Sequence, residues 1–268
     1  MVGVCAGSER PGGSERPGGA GPPVGVGSPV EVGDSVGAGV PGVGLPDREG
    51  DSGARSATGL FIVFEGGDAV GKSTQVRTLT RWLSDAGVPV VQTFEPGDTA
   101  VGRTIRQAVL DPATGDLSPR TEALLYAADK AQHVAEVVAP ALAAGQVVVC
   151  DRYVDSMLAY QGAGRVLALD EVAVVARWAT QDLRPHLTVL LDLDPSEAVS
   201  AKADKDRLES AGEELHQRVR QHFLAMAEAD PEHYLVLPAR LPIAEIAERV
   251  QDRVRVLLAG TPGVSAPP

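Results

Sequence analysis

LFIVFEGGDAVGKST, Leu60 to Thr74, decides how the rest of the chain reads. Leu60 to Phe64 is a short apolar run rich in β-formers, the pattern of a buried strand. Gly66 to Ser73 then meets every fixed position of G-x-x-x-x-G-K-[ST]. The residue types follow from the chemistry of a polyphosphate. Glycines let the backbone turn tightly, so that successive N–H groups face one concavity. Lys72 brings a point charge to the β- and γ-phosphates, the Ser73 hydroxyl suits Mg²⁺, and a helix starting there adds its positive end. Val76, Leu79 and Leu83 supply the helical period that the motif needs behind it. Gly66, Gly67, Asp68, Ala69, Val70, Gly71, Lys72, Ser73 and Thr74 are therefore the expected phosphate contacts.

Working outward, strand and helix patterns alternate from Gly59 onward. A helix is expected over 73–86, closed by Gly87, followed by a strand over 88–93 and the turn-rich loop Phe94-Glu95-Pro96-Gly97-Asp98-Thr99. Helices are expected over 101–110 and from about Arg120 to Ala144, then the strand Gln146 to Cys150, with Asp151-Arg152-Tyr153 at its carboxyl end. Helical stretches follow through Trp178, then the strand Leu187 to Leu193, an amphipathic helix marked by Leu215, Val219, Phe223 and Met226, the strand Tyr234 to Leu237, and a last helix opened by Pro242. The stripe of that helix is Ile243, Ile246, Ala247, Val250, Val254 and Leu257. Five apolar strands separated by helices imply an α/β fold with a parallel sheet covered on both faces. Ligands of such sheets bind beyond the carboxyl strand ends, where the 66–73, 94–99 and 151–153 loops converge.

The flanks differ. Residues 1–57 are dense in Gly, Pro, Ser and Val, lack aromatic residues, and repeat GSERPG in tandem at 7–12 and 13–18. Such a segment cannot recover its ordering entropy by apolar burial, so it reads as a disordered extension before a phosphate-loop domain over 58–260. A docking tail and a start codon placed upstream of the true one are both compatible with it. The 261–268 tail reads as loose. The net charge of −12 argues against a nucleic-acid binder with a broad basic surface. Cys5 and Cys150 match no metal or redox spacing, no run reaches the roughly 20 apolar residues of a membrane span, and no secretion signal is visible, so a cytoplasmic protein is expected.

FEGGDAVGKST, FEPGDT, LLYAADKAQHV, DRYVDSMLAYQGAGR and LTVLLDLDP, in this order, resemble the thymidylate kinase family over Gly59 to about Leu258. The resemblance implies the nucleoside monophosphate kinase version of the P-loop NTPase fold, three-layered with a five-stranded parallel sheet and a mobile lid at about 200–212. It implies phosphoryl transfer from ATP to dTMP with Mg²⁺, in a homodimer. Catalysis would then rest on Lys72, Arg152 and Asp151, since phosphoryl transfer asks for positive charge and placed oxygens. Arg152 suits a bridge between acceptor phosphate and γ-phosphoryl because its fork is bidentate. Ser73 and Asp151 would hold the metal, directly or through water. Asp68 would meet the acceptor's 3′-hydroxyl and Glu95 the metal-water shell or the sugar. Tyr126 would stack on thymine, Ser156 and Tyr160 would lie by the base edge and deoxyribose, and Gln161 follows the family pattern. Lys202, Lys205 and Arg207 match the lid, with Arg207 expected to reach ATP.

Two segments depart from the family. Phe94 and Asp98 stand in a loop that usually reads REPGGT, removing an arginine and adding a negative charge, with Arg103 or Arg106 as candidates to compensate. Lys130 stands where an arginine usually reaches the thymine edge, which implies weaker dTMP binding or a shifted base preference. Two other readings therefore stay open: a kinase for another deoxynucleoside monophosphate, and a catalytically weak nucleotide-binding regulatory protein.

Overall fold

β1 (Leu60–Gly66) is the central strand of a five-stranded, all-parallel sheet, and the computed structural model shows why: every residue in it is buried. The structure describes residues 59–163, 167–197 and 212–260. The expected extension over 1–57, the 261–268 tail, Cys5 and the residues expected to form a lid, Lys202, Lys205 and Arg207, lie outside the described residues.

The other strands are β2 (Val90–Phe94), β3 (Val147–Asp151), β4 (Leu187–Asp192) and β5 (Tyr234–Pro238), in the order β2-β3-β1-β4-β5. Alternation along β1 sorts the two faces. Leu60, Ile62 and Phe64 pack with α1 (Lys72–Asp85) and α8 (Ile243–Ala259) through Val76, Leu79, Leu83, Ile246, Val250 and Val254. Phe61 and Val63 face the opposite layer, where Val134, Val138, Leu142 and Tyr153 meet them. α7 (Glu213–Ala229) extends that layer through Leu215, Val219 and Phe223. α2 (Ala100–Leu110), α3 (Pro119–His133) and α6 (Leu169–Thr180) share a further cluster around Ile105, Tyr126, Met157 and Val172.

The expected elements are present, with differences that have physical causes. β2 and β5 are only partly buried because they are the two sheet edges. The long helix continues past α3 through a π-helical turn at Val134–Val138 into α4 (Ala139–Ala143). α5 (Val154–Met157) likewise runs into a π-helical stretch, Leu158–Ala163. In α8 the inward stripe ends on Leu258, not Leu257, and Ile243 is exposed at the first helical position. Thr99 caps α2 by accepting from Gly102 N–H, and Ser118 caps α3 ahead of Pro119.

Register aligns the three loops. Phe64 pairs with Asp151, Phe94 pairs with Asp151, and Gly66 pairs with Leu191, so all three turns leave the sheet at the same edge. Gly66 has φ +131° and a Cβ there would stand 2.4 Å from Leu191 O, which admits only glycine. Gly71, at φ +96°, turns the chain into α1, which no side chain caps.

Candidate active site

A cleft of about 380 Å³ opens at that edge. Asp68, Ala69, Lys72 and Ser73 line it from the glycine turn, Phe94, Glu95 and Pro96 from the second loop, and Asp151, Arg152, Ser156, Tyr160 and Gln161 from the third. Tyr126, Lys130 and Arg106 complete it from α3 and α2. Every residue expected to meet the acceptor nucleotide is therefore in one place.

Arg152 organises the centre. Its guanidinium donates to Asp68 Oδ1 at 2.5 Å, to Ser156 Oγ at 2.9 Å and to Gly66 O at 3.1 Å, and lies over the Tyr160 ring. Lys72 donates to Gly66 O as well, at 3.1 Å, and to Gly67 O. The two cations thus share one carbonyl and lie beside each other at the start of the phosphate loop. Tyr160 OH donates to the other Asp68 oxygen at 3.2 Å. Burial pushes the Asp68 carboxyl up, but the Arg152 and Lys72 charges outweigh it and hold it below the ordinary range. Ser73 Oγ donates to Asp151 Oδ2 at 2.6 Å, which puts two hard oxygen ligands side by side at the start of α1. Such a pair fits Mg²⁺, which keeps several waters and takes one or two protein ligands beside substrate phosphates.

Lys72 is pushed down to about 8, first by burial and then by the neighbouring Arg152 charge, with nearby carboxylates opposing. A bound polyphosphate favours the charged form. ATP affinity should hold below about pH 8 and then weaken, by up to about tenfold per pH unit, until the Lys72 of the complex itself deprotonates. Steady-state KM for ATP between pH 7 and 9.5 checks this, and a flat profile would contradict it.

The second loop is tied down by buried charge. Glu95 is buried and bonds to Lys130 Nζ and, at 2.6 Å, to His133 Nδ1. Lys130 also donates to Tyr153 O at 2.8 Å. His133 Nε2 meets Thr93 Oγ1, which donates to Asp98 at 2.5 Å. Asp98, expected to add negative charge beside the acceptor, is thus engaged with Thr93. Of the two candidate compensating arginines, Arg106 lines the cleft and donates to Pro96 O at 2.7 Å, over the Phe94 ring. Gln161 donates to the buried Glu122 at 3.1 Å.

Four titratable residues that hold the surroundings of the cleft were not singled out from the sequence: Glu65, His133, Asp129 and Asp155. Two of them left a signal. Tyr126, Lys130 and His133 are spaced i, i+4, i+7 on one helix face, and Glu65 continues the inward face of Phe61 and Val63. Asp155 accepts from Tyr234 OH at 2.5 Å and is pushed up to about 7, by burial first and then by the Glu65 charge. Its folded pKa lies above the unfolded one, so between about pH 4 and 7 the folded chain holds a proton that the unfolded chain has released, and stability falls as pH rises. Asp129, raised to about 6, acts with the same sign. Asp155→Asn should therefore be more stable relative to wild type at pH 8 than at pH 5. A melting-temperature difference independent of pH would contradict this.

The comparisons agree with this geometry. The family model described as thymidylate kinase matches residues 64–250. A thymidylate kinase of Cutibacterium acnes is 59% identical over 200 residues, covering 75% of this chain and 98% of that protein. One from Clavibacter michiganensis subsp. michiganensis is 52% identical over 213 residues, covering 78% and 100%. The crystal structure of thymidylate kinase from Ehrlichia chaffeensis superposes with a TM-score of 0.60 at 28% identity, over 73% of this chain and 98% of that one. With the glycine turn, the paired cations and the three converging loops in one cleft, the chain belongs to the thymidylate kinase family.

Proposed function

We propose that this protein transfers the γ-phosphoryl group of ATP to the phosphate of dTMP, giving dTDP and ADP. The observation that carries the reading is the sharing of Gly66 O by Lys72 and Arg152, in a cleft framed by the phosphate loop. An oxygen of the dTMP phosphate attacks the γ-phosphorus, and the bond to the β–γ bridging oxygen breaks. Charge then spreads over the transferring oxygens, and two fixed cations are suited to stabilise it. In this reading Lys72 serves the donor phosphates and Arg152 spans the acceptor phosphate and the transferring group. Asp68 orients Arg152 and stands by the acceptor sugar. Ser73 and Asp151 would hold Mg²⁺, which would supply positive charge to offset that of the donor phosphates. Tyr126 and Tyr160 both line the cleft, which supports stacking of the base on the first ring and a sugar beside the second.

A relaxed base preference is the second reading, favoured by Lys130. Its ammonium is committed to Glu95 and Tyr153 O, and it lacks an arginine's planar fork. Coupled ADP release across dTMP, dUMP, dCMP, dGMP and AMP tests both. dTMP as the best acceptor supports the proposal, a narrow margin over dUMP supports the relaxed version, and another best acceptor overturns it.

We further infer a cytoplasmic homodimer that binds no nucleic acid. The charge of −12 supports the last point, and among the described residues no helix is long and apolar enough to cross a membrane. Exposed Val101, Leu124, Val174 and Trp178, the last at 82%, stand on the mutually packed α2, α3 and α6 and support a self-association face. A monomer by light scattering would overturn that part.

A further inference from the structure

Glu65 is a carboxylate on the wrong kind of face. It is fully buried and follows Phe61 and Val63 on the layer filled by Val134, Leu142 and Tyr153. A buried carboxylate persists only where donors satisfy it. Among the described residues they come from the end of the third loop and from α5: Tyr153 N–H at 2.8 Å and Ser156 N–H at 3.1 Å on Oε1, and Ser156 Oγ–H at 2.6 Å on Oε2. The same Ser156 oxygen accepts from Arg152 at 2.9 Å. A hydroxyl has one proton, and that of Ser156 goes to Glu65, so its lone pairs are turned to the guanidinium.

Arg152 itself needs holding. Its backbone has φ +70°, a left-handed conformation uncommon for a non-glycine residue, and it persists only where neighbours over-determine it. Its own N–H bonds to Phe64 O at 2.9 Å, and the next N–H, of Tyr153, bonds to Glu65. Consecutive residues of one strand, Phe64, Glu65 and Gly66, thus grip Arg152 at its backbone, at the following amide and at its side chain.

We propose that Glu65 is a positioning residue for phosphoryl transfer: through the Ser156 hydroxyl and the Tyr153 amide it sets the Arg152 guanidinium at a fixed place beside the phosphate loop. The inference rests on the kinase reading above. It also changes the expected part of Ser156, from a contact with the base edge to a relay between Glu65 and Arg152. Because Glu65 precedes Gly66 directly, the acceptor-side arginine is referenced to the same strand end that carries the donor-side loop.

The test is a kinetic cycle on the full chain with Glu65→Gln, Ser156→Ala, Ser156→Thr and Arg152→Ala, each alone, and with the first two each combined with Arg152→Ala. A reacting group displaced by about 1 Å can cost up to about 100-fold, so Glu65→Gln and Ser156→Ala should each lower kcat by about 10- to 100-fold, with KM for ATP within about twofold. Ser156→Thr, which keeps the hydroxyl, should recover most of that loss. In the Arg152→Ala background neither change should slow the enzyme further, since the group being positioned is gone. Ser156→Ala keeps both backbone bonds to Glu65, so it decides the matter even if Glu65→Gln fails to fold. Lower melting temperatures with unchanged kcat would overturn the proposal, as would losses that multiply with that of Arg152→Ala, or a rise in KM for dTMP alone. A wild-type chain inactive on dTMP would instead overturn the kinase reading.

Discussion

Replacing Arg152 by Ala should lower kcat by about 10³-fold or more, the scale on which a single arginine stabilises phosphoryl-transfer charge. The side chain reaches three partners at once, Asp68, Gly66 O and Ser156, and two of those belong to the phosphate loop itself. Its loss leaves Asp68 with the Tyr160 hydroxyl and the Lys72 charge, so the loop keeps a partner for its carboxylate and the variant should fold. KM for ATP should change little, because Lys72 and the glycine turn remain. Arg152→Lys should recover only part of the rate, since an ammonium cannot reproduce the planar fork that meets several acceptors together. Single-turnover transfer to dTMP reads the effect without interference from product release, and a kcat within about tenfold of wild type would sink the role given to Arg152.

Lys130→Met should cost about 3–5 kcal/mol of stability, the penalty for breaking a buried ion pair from one side. Both members are almost completely enclosed, with side-chain exposures of 3% for Lys130 and 2% for Glu95. Burial by itself would push the Glu95 carboxyl up, and Lys130 is the first of the influences that hold it below its ordinary range. Without the ammonium, Glu95 is left with His133 among the described residues, and Tyr153 O loses a donor. Urea unfolding should show a lower midpoint at unchanged slope. In a unit of this size the loss corresponds to a melting temperature lower by about 6–20 °C. The double variant Lys130→Met with Glu95→Gln should recover part of the loss, because it removes the stranded charge. A midpoint shift worth less than about 1 kcal/mol would mean that water reaches the pair and that the second loop is held by other contacts.

The pair also explains why Lys130 reads differently in three dimensions. As a departure from the family's arginine it looks like a weakened contact to the base. In the fold it is one end of a chain, Lys130, Glu95, His133, Thr93 and Asp98, that anchors the Phe94–Thr99 loop to α3 and β2. Asp98 belongs to the same chain. Neither residue's part could be read from spacing, because Glu95 and His133 are 38 positions apart and meet only once β2 lies beside β3.

Local signals determined a good deal unaided. The apolar run before a glycine turn, with helical periodicity behind it, placed β1, the phosphate loop and α1, because strand, turn and helix each obey short-range sterics. Five apolar runs between helical patterns placed the parallel sheet, and its carboxyl edge placed the cleft. Tertiary structure alone decided which carboxylates are buried and what satisfies them. Glu65 lies inside FEGGDAVGKST, but its neighbours in sequence give it no role: among the described residues its donors are about 90 positions away. A buried charge is tolerated only where distant backbone and side-chain donors converge on it, and that convergence is set by strand order and register, which no local window of the chain contains.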